Sequence, residues 1–525
     1  MTFQIPEYAP NYRYILYIRP NNQRNYPFRN VGALYPLRPN VRKFRIGIDI
    51  ESIGDPTAEL TEILLRKDLV ETFLLVRNTK TKPESWSSSL QIGQWYSWEY
   101  VDAESAPKNL DVCEVPVVGY ENNNIVLGTY GKFSPIYSEL DATASKGPNT
   151  SNEIALEDRH RGAALAAAAE ALEIDLIVSE HLASERADFN GNDVVLSIKP
   201  NSLYPLFGQY LRLTWNSEYS VKSGRLLQGG SWTMVNGASS ISEMYATGIK
   251  HNAPFLAYLK FQCDFENHTV LGESLDGIIT RLARASKALD VLLGSLSNHF
   301  SSNENDADVT ELTAEAFDRM LVYLMGALDK SARIRPHLFD TKKHPKDEFH
   351  GTLASRQELH DFIDKLECAD VQDLLEGQKF AWIVRSFRNQ VHSIPLKHSY
   401  VHSRSYGSAV TIALIIPNLE DFGIVQDSLD QSQLDSLGIW SPGNRNQKAK
   451  PEYVADIATL SITLFQEILR YLNLIARMIL LGKPKSSGET SPHPVIGSLD
   501  PAFESEITGK FLDSPYRKMF SWAER

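Results

Sequence analysis

The spacing of apolar positions changes part-way along the chain. Up to about residue 214 they come as short β-branched and aromatic runs bounded by Asn, Pro or Gly: Arg13–Ile18, Phe44–Ile50, Val70–Val76, Gln94–Val101, Asp111–Tyr120, Asn124–Tyr130, Ile174–Glu180 and Val194–Ile198. Such runs predict strands. Thr57–Lys67, the alanine-rich Asp158–Glu173 and Asn201–Thr214 carry helical spacing between them. A helix over 158–173 that leads straight into a strand predicts βαβ connections and a parallel sheet. The runs 111–120 and 124–130, joined through Glu121-Asn122-Asn123, predict an antiparallel hairpin.

From Glu273 the period becomes helical. Leu275, Ile278, Leu282, Ala285, Leu289, Leu292 and Leu296 recur at three and four residues, as do Phe317, Leu321, Leu324 and Leu328. With Ser355–Leu366, Val371–Ile394 and Tyr453–Leu481 they predict an α-helical bundle. The fold class expected is therefore an α/β domain with a mixed or parallel sheet, followed by an all-α bundle. The expected organisation is an N-terminal arm or first strands (1–45), the α/β domain (46–214), a connector without sustained period (215–271), the bundle (272–482), and a linker and tail (483–525). At 525 residues the chain is long enough for several buried cores.

Composition is ordinary for a globular protein, with 42% hydrophobic and 22% charged residues. The longest apolar stretch, Tyr453–Leu481, carries Asp456, Glu467, Arg470 and Arg477, so it reads as a buried bundle helix and not a membrane span. Met1–Pro10 lacks a basic-then-apolar leader, and the three cysteines are far apart. A cytoplasmic location is the expectation, with neither a disulfide framework nor a cysteine zinc site. The net charge of −12 is uneven: Arg13, Arg19, Arg24, Arg29, Arg38, Arg42, Lys43 and Arg45 face the single acid Glu7 in the opening segment. Tyr12, Tyr14, Tyr17, Tyr26, Phe28 and Tyr35 are interleaved with them. This combination suits either a nucleic acid strand or the acidic body of the protein itself.

Chemistry concentrates in Arg385-Ser386-Phe387-Arg388-Asn389-Gln390-Val391-His392. On a helix Arg385, Arg388 and His392 fall within roughly 60° of arc. Two permanent phosphate-gripping charges then share a face with a side chain that transfers protons near neutral pH. Pro395 stops the helix and leaves His392 beside unpaired carbonyls, which favours a cationic ring and equally explains a capping histidine. Beyond it Lys397, His398, His402 and Arg404 extend a possible phosphate surface. His398 and His402 have an i, i+4 spacing, but the residues around them look extended and bring no carboxylate, so no metal is expected there. Carboxylates at strand ends, Asp49, Glu51, Asp175 and Glu180, form the alternative metal set. The chain carries no P-loop, no G-x-G-x-x-G, no G-x-S-x-G and no H-E-x-x-H.

The Arg388-Asn389 pair followed by His392 resembles the R-N-x-x-(x)-H signature of HEPN proteins, small helical bundles rich in metal-independent ribonucleases of toxin, RNA-processing and defence systems. The resemblance covers roughly residues 272–482. The family's motif normally places four to six residues between arginine and histidine; three separate Arg388 from His392 and six separate Arg385 from it, so either Arg385 is the family's arginine or the motif is degenerate. The resemblance implies a ribonuclease without cofactor in which His392 moves a proton, Arg385 or Arg388 steadies phosphate charge, and a homodimer completes the site. RNA or a nucleotide is the implied partner, no membrane is, and the α/β half would act as sensor. Ile174–Leu182, where Ser179 precedes Glu180, is loosely similar to the late strand of PIN-like nucleases; Asp49 would supply the early aspartate and a divalent metal the chemistry. A third reading makes the bundle a non-catalytic dimerisation or interaction module.

Overall fold

The computed structural model describes residues 43–78, 86, 93–99, 113–120, 124–130, 156–181, 196–213, 238–299, 306–339, 359–360, 363–367, 371–393, 396–403, 409–424, 429–440, 453–485, 493–512 and 515–520. The basic aromatic arm and the Arg13–Ile18 strand lie outside these residues, Lys43 and Arg45 excepted. Contacts divide the chain into two compact units, one built mainly before residue 214 and the other from 215–292, 310–399 and 412–525.

The first unit is α/β. Its strands are β1 (Phe44–Asp49), β2 (Val70–Arg77), β3 (Gln94–Trp98), β4 (Cys113–Gly119), β5 (Ile125–Tyr130), β6 (Leu176–Val178) and β7 (Leu196–Ile198), in the sheet order β5-β4-β3-β2-β1-β6-β7. The five strands from β3 to β7 across β2, β1 and β6 are mutually parallel, and β4 and β5 close one edge as the antiparallel hairpin. Parallel strands need cover on both faces, and β1 and β2 are correspondingly buried almost throughout. Helices α1 (Ile50–Ile53), α2 (Ala58–Leu64), α3 (Leu156–Ala171) and α4 (Leu203–Leu213) accompany them. Thr57 caps α2, its hydroxyl accepting from Leu60 N at 3.1 Å.

The alanines of α3 have a steric reason. Ala163 to Ala169 are buried against the hairpin, and a Cβ at Gly128 of β5 would stand 2.5 Å from the Ala167 carbonyl oxygen. Helix backbone thus lies directly on strand backbone, which only small residues permit. The C-terminal end of α3 is tied to β1 by Arg45, which donates to the carbonyls of Glu173 (2.9 Å) and Leu172 (2.8 Å), pairs with Glu71 at 2.8 Å and lies over the Phe73 ring. This member of the basic opening segment therefore works inside the fold.

The second unit is mostly helical: α5 (Ala238–Asn252), α6 (Pro254–Phe265), most of α7 (Thr269–His299) and α8 (Asp306–Ala332), α9 (Arg335–Phe339), α10 (Val371–Ser393), α11 (Gln431–Ser436), α12 (Ile457–Leu481), α13 (Glu504–Leu512) and α14 (Pro515–Met519). The remaining strands are β8 (Leu366–Glu367), β9 (His398–Ser403), β10 (Ala409–Ile416), β11 (Ile439–Trp440), β12 (Tyr453–Asp456) and β13 (Lys483–Pro484), of which Tyr400–Thr411, most of β9 and the start of β10, is grouped with the first unit. These form a ladder β13-β8 and a sheet in the order β11-β12-β10-β9. At its centre α12 is buried along nearly its whole length and is capped by Asp456, whose carboxylate accepts from Thr459 N at 2.9 Å. Helix α10 crosses α12 closely, since a Cβ on Gly377 would come within 2.7 Å of the Tyr471 ring. No helix among the described residues is long and apolar enough to cross a membrane.

Two expectations need correction here. The connector over 215–271 contains α5 and α6. Phe255, Leu256, Leu259 and Cys263 of α6 are buried at helical spacing, but Phe261 and Phe265 on its outer side are 59% and 74% exposed and blur the period. The tail beyond 483 is also built in, with Met519 and Phe520 buried and Tyr245 of α5 edge-on to Phe520.

Candidate functional site

Helix α10 is fixed by its apolar side. Phe387 is fully buried between Phe422, 4.7 Å between ring centroids, and Phe317 of α8, edge-on at 6.0 Å. That anchoring turns Trp382, Arg385, Arg388 and Asn389 outward. Trp382 is 43% exposed, and the Arg385 guanidinium lies 5.2 Å over its ring. Arg388 is half-buried and donates to the Asn389 side chain at 3.3 Å. On the inner flank of Trp382, Gly423 is in the left-handed region at φ 75°, where its missing Cβ leaves room for Trp382 Cδ1 and Ser386 Oγ. His392 stands one turn beyond Arg388, in the last turn of α10; its side chain lies outside the described residues.

The proposed extension of this surface is less uniform. Lys397 is exposed, whereas His398 opens β9 half-buried; burial pushes its ring below the usual histidine range against the opposing hydrogen bond at Leu396. Its Nε2 is buried without a hydrogen-bond partner among the described residues. His402 lies in the same strand, so the i, i+4 spacing separates the two backbones by about 13 Å, too far to share a metal. Arg404 lies outside the described residues.

A second polar cluster forms at the carboxyl ends of the parallel strands, between β1 and β6, where the strand order reverses. Open α/β sheets present ligand crevices at that point. Asp49 ends β1, and the parallel register sets Ser179 beside it; Ser179 Oγ donates to Asp49 Oδ2 at 2.7 Å. Arg161 of α3 reaches both Asp49 oxygens at 3.1 and 3.2 Å and Glu51 at 3.3 Å. Ser52 Oγ lies 2.9 Å from Ser179 Oγ and accepts from Glu180 N at 3.0 Å. Asp49 and Ser179 are buried, while the Glu180 side chain points to solvent.

No family model, curated protein or solved structure matches the chain. Its sites therefore rest on geometry alone. Of the carboxylates in the alternative metal set, Asp175 lies at the other end of β6, where it accepts from Arg45 N at 3.0 Å. Asp49 is four residues further along the register, about 13 Å away, so the two do not share a site. Asp49 itself is held by a guanidinium. Among the described residues no group of three or more His, Cys, Asp or Glu side chains could hold a metal ion.

Two contributors are not visible from sequence spacing. Arg161 meets Asp49 only through the packing of α3, although the Arg159-His160-Arg161 entry into an alanine run was a usable signal. Trp382 resembles any apolar member of the α10 repeat until the packing leaves it outside.

Proposed function

We propose that the chain binds single-stranded RNA on the α10 face and cleaves it without a metal, as the HEPN-like motif implies, with the α/β unit in a regulatory role. The observation that carries this reading is the half-exposed Trp382–Arg385 stack beside Arg388 on one helix. An indole and two guanidinium groups offer base stacking and phosphate charge together, the pairing that single-strand recognition uses. His392, one turn on, supplies the proton transfer at the ribose 2′-hydroxyl or the leaving oxygen, and Arg385 or Arg388 stabilises charge growing on the phosphate. Family resemblance adds a homodimer and a toxin-like or defence-like setting.

The test is the cleavage rate of a labelled single-stranded RNA in EDTA by wild type, Arg385→Ala and Arg388→Ala. Loss of a group that stabilises the transition state lowers the rate on the order of 100-fold or more. Equal rates in all three proteins would refute the assignment.

A second reading, a metal-dependent nuclease in the α/β unit, draws on Asp49 and Ser179 meeting at the switch point. The Arg161 pair weighs against it. Cleavage abolished by EDTA and restored by Mg2+ or Mn2+ would favour this reading over the first.

A further inference from the structure

Helices α7 and α8 form a seam lined by three cations that have no carboxylate partner among the described residues. Gly277, Arg281 and Arg284 share about 60° of arc on α7, and Tyr323, Gly326 and Lys330 do so on α8. The two glycines lower the seam floor. The Arg281 side chain crosses Gly326, its Nε 3.0 Å from the position a Cβ would take, and Arg281 Nη1 and Lys330 Cε each lie 3.3 Å from the same point above Gly277. A guanidinium and the stem of an ammonium thus converge on one glycine. Arg281 donates to the Gly277 carbonyl at 3.1 Å and Arg284 lies over the Tyr323 ring at 5.9 Å, but among the described residues neither they nor Lys330 makes an ion pair with an acid. The acid next to Gly277, Asp276, is taken by Lys260 at 3.2 Å.

Like charges held together without a counter-charge repel one another, and an anion placed between them relieves that repulsion. The flanking tyrosine adds a surface for a base or sugar. We propose that this seam binds the phosphodiester backbone of the RNA strand, as a second contact surface besides α10. The proposal rests on the RNA reading above and identifies a path for the substrate. Phe317 of α8 touches Phe387 of α10, and Lys330 lies thirteen residues further along α8, about 20 Å, a span of a few nucleotides.

The experiment measures binding of a fluorescent single-stranded RNA by anisotropy over a salt series, for the full chain, Arg281→Gln/Lys330→Gln, Arg385→Gln/Arg388→Gln, and the charge-preserving Arg281→Lys/Lys330→Arg. Two lost phosphate contacts reduce the log–log salt slope by about 1.4 and weaken binding on the order of 25-fold at 0.1 M salt. The charge-preserving variant keeps both slope and affinity, which separates loss of charge from loss of fold. Unchanged slope and affinity in Arg281→Gln/Lys330→Gln, with loss in Arg385→Gln/Arg388→Gln, would overturn the seam and leave the α10 reading standing. The reverse pattern would overturn the α10 reading and keep the seam. If the seam substitutions leave RNA affinity untouched but abolish stabilisation by inorganic pyrophosphate, the ligand is a free phosphate compound and the RNA assignment fails.

Discussion

Removing Arg161 is the sharpest perturbation of the α/β unit. Asp49 is 1% exposed, and Arg161 reaches both of its oxygens at 3.1 and 3.2 Å, with Ser179 adding one hydrogen bond at 2.7 Å. Arg161→Met keeps the apolar stem and deletes the charge, leaving a carboxylate inside the protein with one hydroxyl for company. Breaking a buried pair from one side costs about 3–5 kcal/mol, and the surviving Ser179 bond places this case near 3. For a unit of this size that is a fall of roughly 6–12 °C in its unfolding temperature. Asp49→Asn/Arg161→Met removes both charges and recovers most of the loss, because replacing the whole pair is far cheaper than orphaning one member. Because the chain has two compact units, hydrogen exchange at the β1 and β6 amides reads the α/β unit more directly than a global melt. A single-variant loss below about 1 kcal/mol, or a double variant as unstable as the single, would refute the view that Arg161 neutralises Asp49.

Gly128→Ala places a methyl 2.5 Å from the Ala167 carbonyl, backbone against backbone, so α3 must lift from the hairpin; overpacking of this kind destabilises by about 1–3 kcal/mol, measurable as a lower urea midpoint. Asp318 is pushed up to about 6 by burial, reinforced by the Glu311 charge, and one of its oxygens is buried without a hydrogen-bond partner among the described residues. Its folded-state value thus exceeds the unfolded one, so its contribution is complete below about pH 4 and is lost as the pH rises through 6. Asp318→Asn is therefore expected to melt higher than wild type at pH 7–8 and to match it below pH 4, whereas a constant difference across that range would contradict the shift.

The strands and helices that were legible in the sequence were those whose buried face is regular. Val70–Val76 is apolar on both sides because a parallel strand is covered on both, and the α3 alanines announce a helix pressed against its neighbour. Helix α6 was not legible because Phe261 and Phe265 lie on its solvent side, where the pattern requires polar residues. The two-residue strands β8, β11 and β13 and the four-residue β12 leave no period, whereas the apolar run Ala409–Ile416 of β10 was a legible strand signal. For the candidate sites, Arg385, Arg388 and His392 could be placed on one helix face from spacing alone, since one helix carries all three. Asp49 and Ser179 met as strand ends, but Arg161 and the Arg281–Lys330 seam depend on which helices pack together, and spacing within one segment holds no record of that.

The most direct measurement of the central claim is end-group analysis after wild type and His392→Ala are incubated with a mixed RNA pool in EDTA. The account predicts wild-type products ending in 2′,3′-cyclic phosphate, from attack of the 2′-hydroxyl, and their absence in the variant. Equal yields of such products from both proteins, or cleavage only when divalent metal is supplied, would contradict it.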